Sequence, residues 1–181
     1  MSNSSFSQQL RWVAILCAAL GAIEVINFLT GRSLSGFGLI PREPSSLYGV
    51  ITAPFVHSSV QHFLYNIVPL AVLTTLLLQY GQKRYILVTA GVIAGSGLLV
   101  WLFARPAIHI GASGVIFGYV SFLIVAGLRQ RQIKHFLISI FVLFSYGGLL
   151  WGVLPTAAGV SFEYHLFGAI VGAALGMKPV R

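Results

Sequence analysis

Long apolar runs are the feature that most restricts what this chain can fold into. A helix needs about 20 apolar residues to cross the roughly 30 Å of hydrocarbon in a bilayer. Only 8% of the residues are charged and 57% are hydrophobic, unlike a soluble domain. We expect a single domain over 1–181, with a short polar N-terminal tail at 1–10. The runs predict an all-α membrane protein with six transmembrane helices, at about 12–29, 62–80, 84–104, 113–128, 133–153 and 164–177.

Basic residues at the ends of the runs predict how the helices are oriented. Loops rich in Lys and Arg stay on the cytoplasmic side of a membrane. A cytoplasmic N-terminus leaves only Arg32, Arg42 and Arg105 on the outer side. Both termini are therefore predicted to be cytoplasmic, because the inner side then carries eight basic residues, Arg11, Lys83, Arg84, Arg129, Arg131, Lys134, Lys178 and Arg181.

The net charge of +8 does not indicate nucleic-acid binding. The basic residues stand singly or in pairs at the ends of the runs and form no basic stripe. The one cysteine, Cys17, has no partner for a disulfide or a cysteine metal cluster. The predicted surroundings of the chain are the lipid bilayer and other membrane proteins.

Ser113 stands between glycines at the head of a short apolar run. The sixteen residues 113–128 extend about 24 Å at about 1.5 Å per residue, less than the thickness of the hydrocarbon core. If this run ends at the inner surface, Ser113 lies below the outer surface and the connector 105–112 descends to reach it. Non-helical backbone survives at that depth only where it is buried in protein or lines a wet cavity. Ser113 is therefore predicted to face a water-accessible hollow open to the outside.

His165 lies at a similar depth on the last predicted helix, twelve residues before Met177. The Ser113 helix carries Gly114 and Gly118, which allow another helix to approach closely. The last helix has small residues at matching three- and four-residue spacing, Gly168, Ala169, Gly172, Ala173 and Gly176. We expect these helices to bring Ser113 Oγ within hydrogen-bonding distance of His165, so that the imidazole activates the hydroxyl.

The acidic residues limit the kind of catalysis. The chain has no aspartate, and its three carboxylates are Glu24, Glu43 and Glu163, so a Ser-His-Asp triad is excluded. A Ser113–His165 dyad is favoured, with solvent or packing orienting the imidazole. Phe117, one turn after Ser113, is the predicted packing partner.

A second group of polar residues lies at the start of the run 62–80. His62 and Asn66 are four residues apart and share a helix face. Together with the N–H group of Ser113 at the start of its helix, they are predicted to hold an oxyanion. His57 is predicted to brace the preceding loop by hydrogen bonding.

These motifs resemble the rhomboid family of intramembrane serine proteases. Gly111-Ala112-Ser113-Gly114 resembles its nucleophile motif, and His165 followed by Gly168 resembles its last-helix base. His62-x-x-x-Asn66 resembles its oxyanion residues, and the segment 52–57 resembles the lead-in to that helix. The three motifs occur in the family's order on the second, fourth and sixth predicted helices.

The resemblance implies a rhomboid-like bundle of the bacterial six-helix type, in the inner (cytoplasmic) membrane. It implies cleavage of single-pass or other transmembrane proteins in or near their spanning helices, with no metal or cofactor. Substrates would enter past the fifth helix, and the connector 154–162 would act as a lid.

Two positions depart from many members, which have Trp-Arg at Tyr48-Gly49 and tyrosine at Phe117. The first departure concerns the stability of the first loop, and the second concerns the pH dependence of activity. The oligomeric state stays open.

Three other functions remain open from the residues alone. A catalytically inactive rhomboid-like protein would bind membrane proteins through the same hollow. A channel or transporter would need an acidic relay, for which Glu24 is the one intramembrane acid and has no evident basic partner. A metal site lacks an H-E-x-x-H motif and would draw on His57, His62, His109 and His165.

Overall fold

The computed structural model describes residues 5–130, 132–155 and 159–178. Arg131 and Arg181, residues 1–4 of the predicted tail and 156–158 of the predicted lid lie outside these ranges. The described residues form an all-helical bundle whose helices are α1 Phe6–Leu29, α2 Gly49–Thr52, α3 Val60–Leu78, α4 Gln82–Phe103, α5 Ser113–Arg129, α6 Ile133–Tyr146 and α7 Phe162–Gly176.

The long helices correspond in position to the six predicted runs. Within the described ranges, four segments are long and apolar enough to cross a membrane, namely α1, α3, α4 and Ile133–Val153. The remaining two, α5 and α7, are shorter and apolar. An apolar multi-helix bundle is therefore observed, and the crossing of the membrane by all six stays a prediction.

Helix boundaries differ from the expectation in the first and fifth predicted helices. α1 begins at Phe6, inside the predicted polar tail 1–10, because Ser5 caps it by accepting a hydrogen bond from the Gln8 N–H at 3.3 Å. The predicted helix 133–153 is α-helical only to Tyr146 and continues as a 3-10 helix, Gly147–Val153. Glycines at 147 and 148 weaken the α-helix there.

α5 is the centre of the bundle. Its residues 114–123 are all buried, and it packs against α3, α4, α6 and α7. The other long helices expose large apolar side chains on their outward faces, among them Leu29, Leu87, Phe103 and Phe144. A buried central helix within a ring of apolar outward faces is the arrangement expected when lipid is the solvent.

The first long connecting segment and the connector between α4 and α5 meet at one end of the bundle. The first loop (30–59) contains α2 and 3-10 turns, and it pairs with the connector 105–112, which we call the serine loop. Leu39 N–H donates to His109 O at 3.0 Å, and His109 N–H donates to Leu39 O at 2.9 Å. Arg42 Nη1 donates to the carbonyl of Ala104 at 2.8 Å, beyond the last residue of α4. These contacts hold the serine loop in place before α5 begins.

Candidate active site

Ser113 and His165 form a hydrogen bond between two helices. Ser113 is the first residue of α5, and His165 lies in the first turn of α7. Ser113 Oγ lies 2.8 Å from His165 Nε2, and both residues are partly exposed. The expected contact between this hydroxyl and this imidazole is therefore present.

Glycine contacts bring α5 and α7 close enough for that hydrogen bond. A Cβ on Gly168 would overlap the carbonyl oxygen of Gly114, and a Cβ on Gly172 would overlap that of Gly118. A Cβ on Gly114 would in turn lie 2.6 Å from the ring of Tyr164. The predicted small-residue contact is thus present, and it leaves no space for side chains at these positions.

The second nitrogen of His165 is held by a backbone carbonyl. His165 Nδ1 lies 2.9 Å from the carbonyl oxygen of Gly152, in the 3-10 helix Gly147–Val153. Because a carbonyl only accepts, Nδ1 carries the proton, and Nε2 accepts from the Ser113 hydroxyl. This partner was not predicted, since a main-chain carbonyl gives no side-chain signal in the sequence.

Packing also orients the imidazole. The rings of Phe117 and His165 are stacked, with centroids 4.2 Å apart and planes 5° apart. Phe117 therefore occupies the predicted packing position, although many relatives are expected to have tyrosine there. The ring and the Gly152 carbonyl together restrict both the tilt and the rotation of His165.

His62 and Asn66 lie on the wall of the cavity that contains the dyad. His62 Nδ1 is 3.1 Å from Ser58 Oγ, while Nε2 faces Gly111, where a Cβ would be 2.6 Å away. Gly111 also has φ +109°, a conformation that only glycine adopts readily. Asn66 Nδ2 donates to the His62 carbonyl at 2.7 Å, which uses one of its two amide hydrogens. Gly111 is therefore needed both for the turn before Ser113 and for the approach of His62.

His57 connects the first loop to the serine loop. Its Nε2 accepts a hydrogen bond from the Ala112 N–H at 3.4 Å, and its carbonyl accepts one from Asn27 Nδ2 at 2.9 Å. Burial, together with repulsion from His62 and Arg32, lowers the pKa of His57 to about 4. The imidazole is therefore neutral near pH 7, which leaves Nε2 able to accept.

A cavity of about 810 Å³ opens beside the dyad. Concave apolar surfaces with a few convergent polar groups are typical binding sites. The polar groups here include Ser113, His165, His62 and Asn66. The apolar part of the lining includes Pro69, Ile108, Ile110, Ile116, Leu149 and Val160.

Two of the three glutamates form ion pairs with arginines. Arg32 Nη1 lies 2.6 Å from Glu24 Oε1, and Arg105 Nε lies 3.1 Å from Glu163 Oε1. Glu24 thus has a basic partner, which the sequence analysis overlooked because Arg32 follows the end of α1. Neither carboxylate takes the place of a triad aspartate, since the Gly152 carbonyl already binds His165 Nδ1.

The four histidines considered for a metal site do not converge. Among the described residues, no three His, Cys, Asp or Glu side chains lie close enough together to hold a metal ion. His109 is instead buried and hydrogen-bonded to Ser161, with its Nδ1 2.5 Å from Ser161 Oγ. The geometry therefore favours the serine–histidine reading of these residues over the metal reading.

The family model for the Rhomboid domain matches residues 44–181. The chain belongs to the rhomboid family. It is similar to the uncharacterized protein Rv1337 of Mycobacterium tuberculosis, with 38% identity covering 90% of this chain and 74% of that protein. It is also similar to the uncharacterized protein ML1171 of Mycobacterium leprae, with 40% identity covering 92% and 72%. Membership of this family and the long apolar helices make the rhomboid chain a multi-pass integral membrane protein.

The rhomboid chain is closely packed at Tyr48-Gly49, where the resemblance implies Trp-Arg in many members. A Cβ on Gly49 would lie 2.7 Å from the carbonyl oxygen of Gly38 and from Leu39 Cα. The first residue of α2 therefore packs directly on the backbone that pairs with His109. Tyr48 stacks edge-to-face on Phe37, and its hydroxyl donates to the Gly36 carbonyl at 3.2 Å. This loop is thus held by close backbone packing and one aromatic pair.

Proposed function

We propose that this rhomboid-family protein is an intramembrane serine endopeptidase that cleaves transmembrane proteins in or near their spanning helices. The observation that carries the proposal is the Ser113–His165 hydrogen bond at 2.8 Å, with the His165 proton fixed on Nδ1. A hydroxyl that donates to an oriented, unprotonated imidazole nitrogen is the arrangement that makes serine a nucleophile. The adjoining cavity supports the proposal because it is large enough for an unwound peptide segment.

In the first half of the reaction, Ser113 Oγ attacks the scissile carbonyl carbon and its proton passes to His165 Nε2. The tetrahedral intermediate collapses as His165 returns that proton to the leaving amine, and the peptide C–N bond breaks. The Gly152 carbonyl and the Phe117 ring keep the imidazolium in place during this step. An ester between Ser113 and the N-terminal fragment remains.

In the second half, His165 Nε2 takes a proton from water, and the hydroxide attacks the ester carbonyl. His165 then returns the proton to Ser113 Oγ as the ester bond breaks and a carboxylic acid is released. Both tetrahedral intermediates carry an oxyanion beside Ser113. The proposed donors are the Ser113 N–H, the second amide hydrogen of Asn66 and the imidazole of His62.

The proposed setting is the inner membrane of a bacterium, with six spans and both termini in the cytoplasm. The basic residues favour this orientation, which opens the dyad's cavity to the outer side. Substrate helices would enter beside α6, whose outward face carries exposed aromatic side chains, including Phe136, Phe141 and Phe144. The change from α-helix to 3-10 helix after Tyr146 gives that side an irregular backbone near the cavity.

Purified protein in liposomes with a panel of single-span membrane proteins tests the proposal. We expect cleavage by wild type at a position located by mass spectrometry, and none by Ser113→Ala. Cleavage that persists in Ser113→Ala would reject the assignment. Binding of the panel proteins without cleavage, and without labelling of Ser113 by a fluorophosphonate, would instead indicate the inactive binding protein.

A further inference from the structure

The serine loop is held from two directions. Towards the first loop, Leu39 pairs with His109, Gly111 N–H donates to the Ala53 carbonyl at 2.9 Å, and Ala112 N–H donates to His57. Towards α7, Arg105 and His109 make the polar contacts of the loop. Ser113 is in α5 and His165 is in α7. The contacts between the serine loop and α7 therefore affect the Ser113–His165 distance most directly.

His109 makes the inner contact towards α7. Its Nε2 lies 3.1 Å from the Arg105 carbonyl, which only accepts, so Nε2 carries the proton. Nδ1 then accepts from the Ser161 hydroxyl at 2.5 Å. Ser161 Oγ in turn accepts from the Tyr164 N–H at 3.3 Å and so caps α7. A continuous chain of hydrogen bonds therefore runs from the serine loop into the first turn of α7.

Arg105 makes the outer contact. Its guanidinium pairs with Glu163 through Nε, and its Nη2 donates to the Val160 carbonyl at 2.5 Å. The backbone N–H of Arg105 also donates to Glu163 Oε1 at 3.4 Å. Its Cζ lies 5.2 Å from the centre of the Phe162 ring. The Arg105 side chain thus contacts three residues at or just before the start of α7, namely Val160, Phe162 and Glu163.

We propose that His109 is a positioning residue for the dyad, through its hydrogen bond to Ser161 and with support from the Arg105–Glu163 pair. We call the His109–Ser161 hydrogen bond and the Arg105–Glu163 pair, taken together, the outer clasp. The inference rests on the proposed function, because it assigns the clasp the task of setting the Ser113–His165 distance.

The spacing along the chain explains how the clasp acts. His109 precedes Ser113 by four residues, and Ser161 precedes His165 by four residues. The clasp therefore connects the serine loop, which leads to Ser113, with the segment that leads to His165 in α7. The Gly114–Gly168 contact connects α5 and α7 on the other side of the dyad. Since displacements of about 1 Å between reacting groups cost up to about 100-fold in rate, a join on each side of the dyad has a kinetic value.

Variants at position 109 separate the hydrogen bond from the bulk of the ring. His109→Leu fills much of the buried space without an acceptor, whereas the Oδ1 atom of His109→Asn can accept from Ser161 near the position of Nδ1. Tyr48→Phe is the matched control, since it removes a different hydrogen bond from the same end of the bundle. If His109→Leu does not fold, Ser161→Ala breaks the same bond and Ser161→Thr keeps the hydroxyl.

The informative readout is the rate constant for fluorophosphonate labelling of Ser113, measured beside the fraction of protein finally labelled. We expect His109→Leu to label about ten-fold more slowly to the same final fraction, with kcat reduced alike and KM unchanged. His109→Asn should recover most of the rate, and Tyr48→Phe should match wild type. A reduced labelled fraction at the wild-type rate constant would show a merely structural role and would overturn the proposal.

Hydrogen exchange separates failure of the clasp from failure of the proposed function. If wild type neither labels nor cleaves, the proposed function is rejected. The clasp is then judged by amide exchange in the serine loop and in residues 159–165. Faster exchange in both of these segments in His109→Leu, but not in Tyr48→Phe, supports the clasp. Unchanged exchange in His109→Leu rejects it.

Discussion

Gly111 shows how a single residue serves both the backbone and the site. Its φ of +109° turns the chain into α5, and its missing Cβ makes room for His62 Nε2. Both features follow from the absence of a side chain, so the G-x-S-G motif has a physical reason at its first position. The sequence pattern identified the motif, but the approach of His62 needed the folded chain.

Gly111→Ala is expected to destabilise the protein by about 1–3 kcal/mol through backbone strain and to displace His62. Proteolysis should therefore fall by more than the loss of folded protein explains. Gly31→Ala is the matched control, because Gly31 has φ +63° with open space around it. Thermal unfolding and cleavage rate measured on both variants check this, and equal effects on cleavage would contradict the role of the His62 contact.

His57 is expected to make stability depend on pH. Its pKa is about 4 in the folded protein and near the ordinary 6.5 when unfolded. Above pH 6.5 both states are neutral and stability is full. As the pH falls from 6.5 towards 4, the unfolded state binds a proton that the folded state does not, so the free energy of unfolding decreases.

Thermal midpoints in detergent between pH 7.5 and 4.5 measure this effect. His57→Gln keeps an acceptor for the Ala112 N–H but does not titrate. We expect its midpoint to fall less over this range than that of wild type. Parallel curves for the two proteins would assign the acid sensitivity to other groups.

At the scale of helices, the α5–α7 contact is the element pair on which the site depends. The small-residue spacing on both helices predicted it, because such spacing has few other uses in an apolar helix. The irregular 3-10 end of α6 was not predicted, because the hydropathy of 133–153 is continuous. That segment also supplies the Gly152 carbonyl, the partner of His165 that no side chain in the sequence indicates.

Gly168→Ala tests this contact. Its Cβ would overlap the Gly114 carbonyl, so the helices must separate at a cost of about 1–3 kcal/mol. We expect a lower thermal midpoint. Labelling of Ser113 should also fall by more than the loss of folded protein explains. Ala174→Leu adds volume on the exposed face of α7 and should leave both unchanged. If Ser113 in Gly168→Ala is labelled as in wild type, the Gly114–Gly168 contact does not determine the Ser113–His165 distance.

For the whole molecule, the all-helical class and the order of the long apolar helices followed from hydropathy, whereas the rhomboid-like bundle was implied by the resemblance of the motifs. The ion pairs Glu24–Arg32 and Arg105–Glu163 did not, since their partners are brought together by the packing of loops and helix ends. The family's three motifs could be located by spacing, whereas the contacts that orient them come from the tertiary structure.

The orientation in the membrane is a testable property of the whole molecule. In a Cys17→Ser background, Ser45→Cys places a thiol in the first loop and Lys83→Cys places one at the opposite end. We expect a membrane-impermeant maleimide to label the first in intact cells and the second only after permeabilisation. The reverse pattern would show that the termini lie outside and the site opens inwards.

Covalent labelling by a fluorophosphonate in lipid, with the labelled residue located by peptide mapping, tests whether Ser113 is a nucleophile activated by His165. We expect one adduct, on Ser113, which is absent in Ser113→Ala and strongly reduced in His165→Asn. An adduct on another residue, or labelling of Ser113 that does not depend on His165, would contradict it.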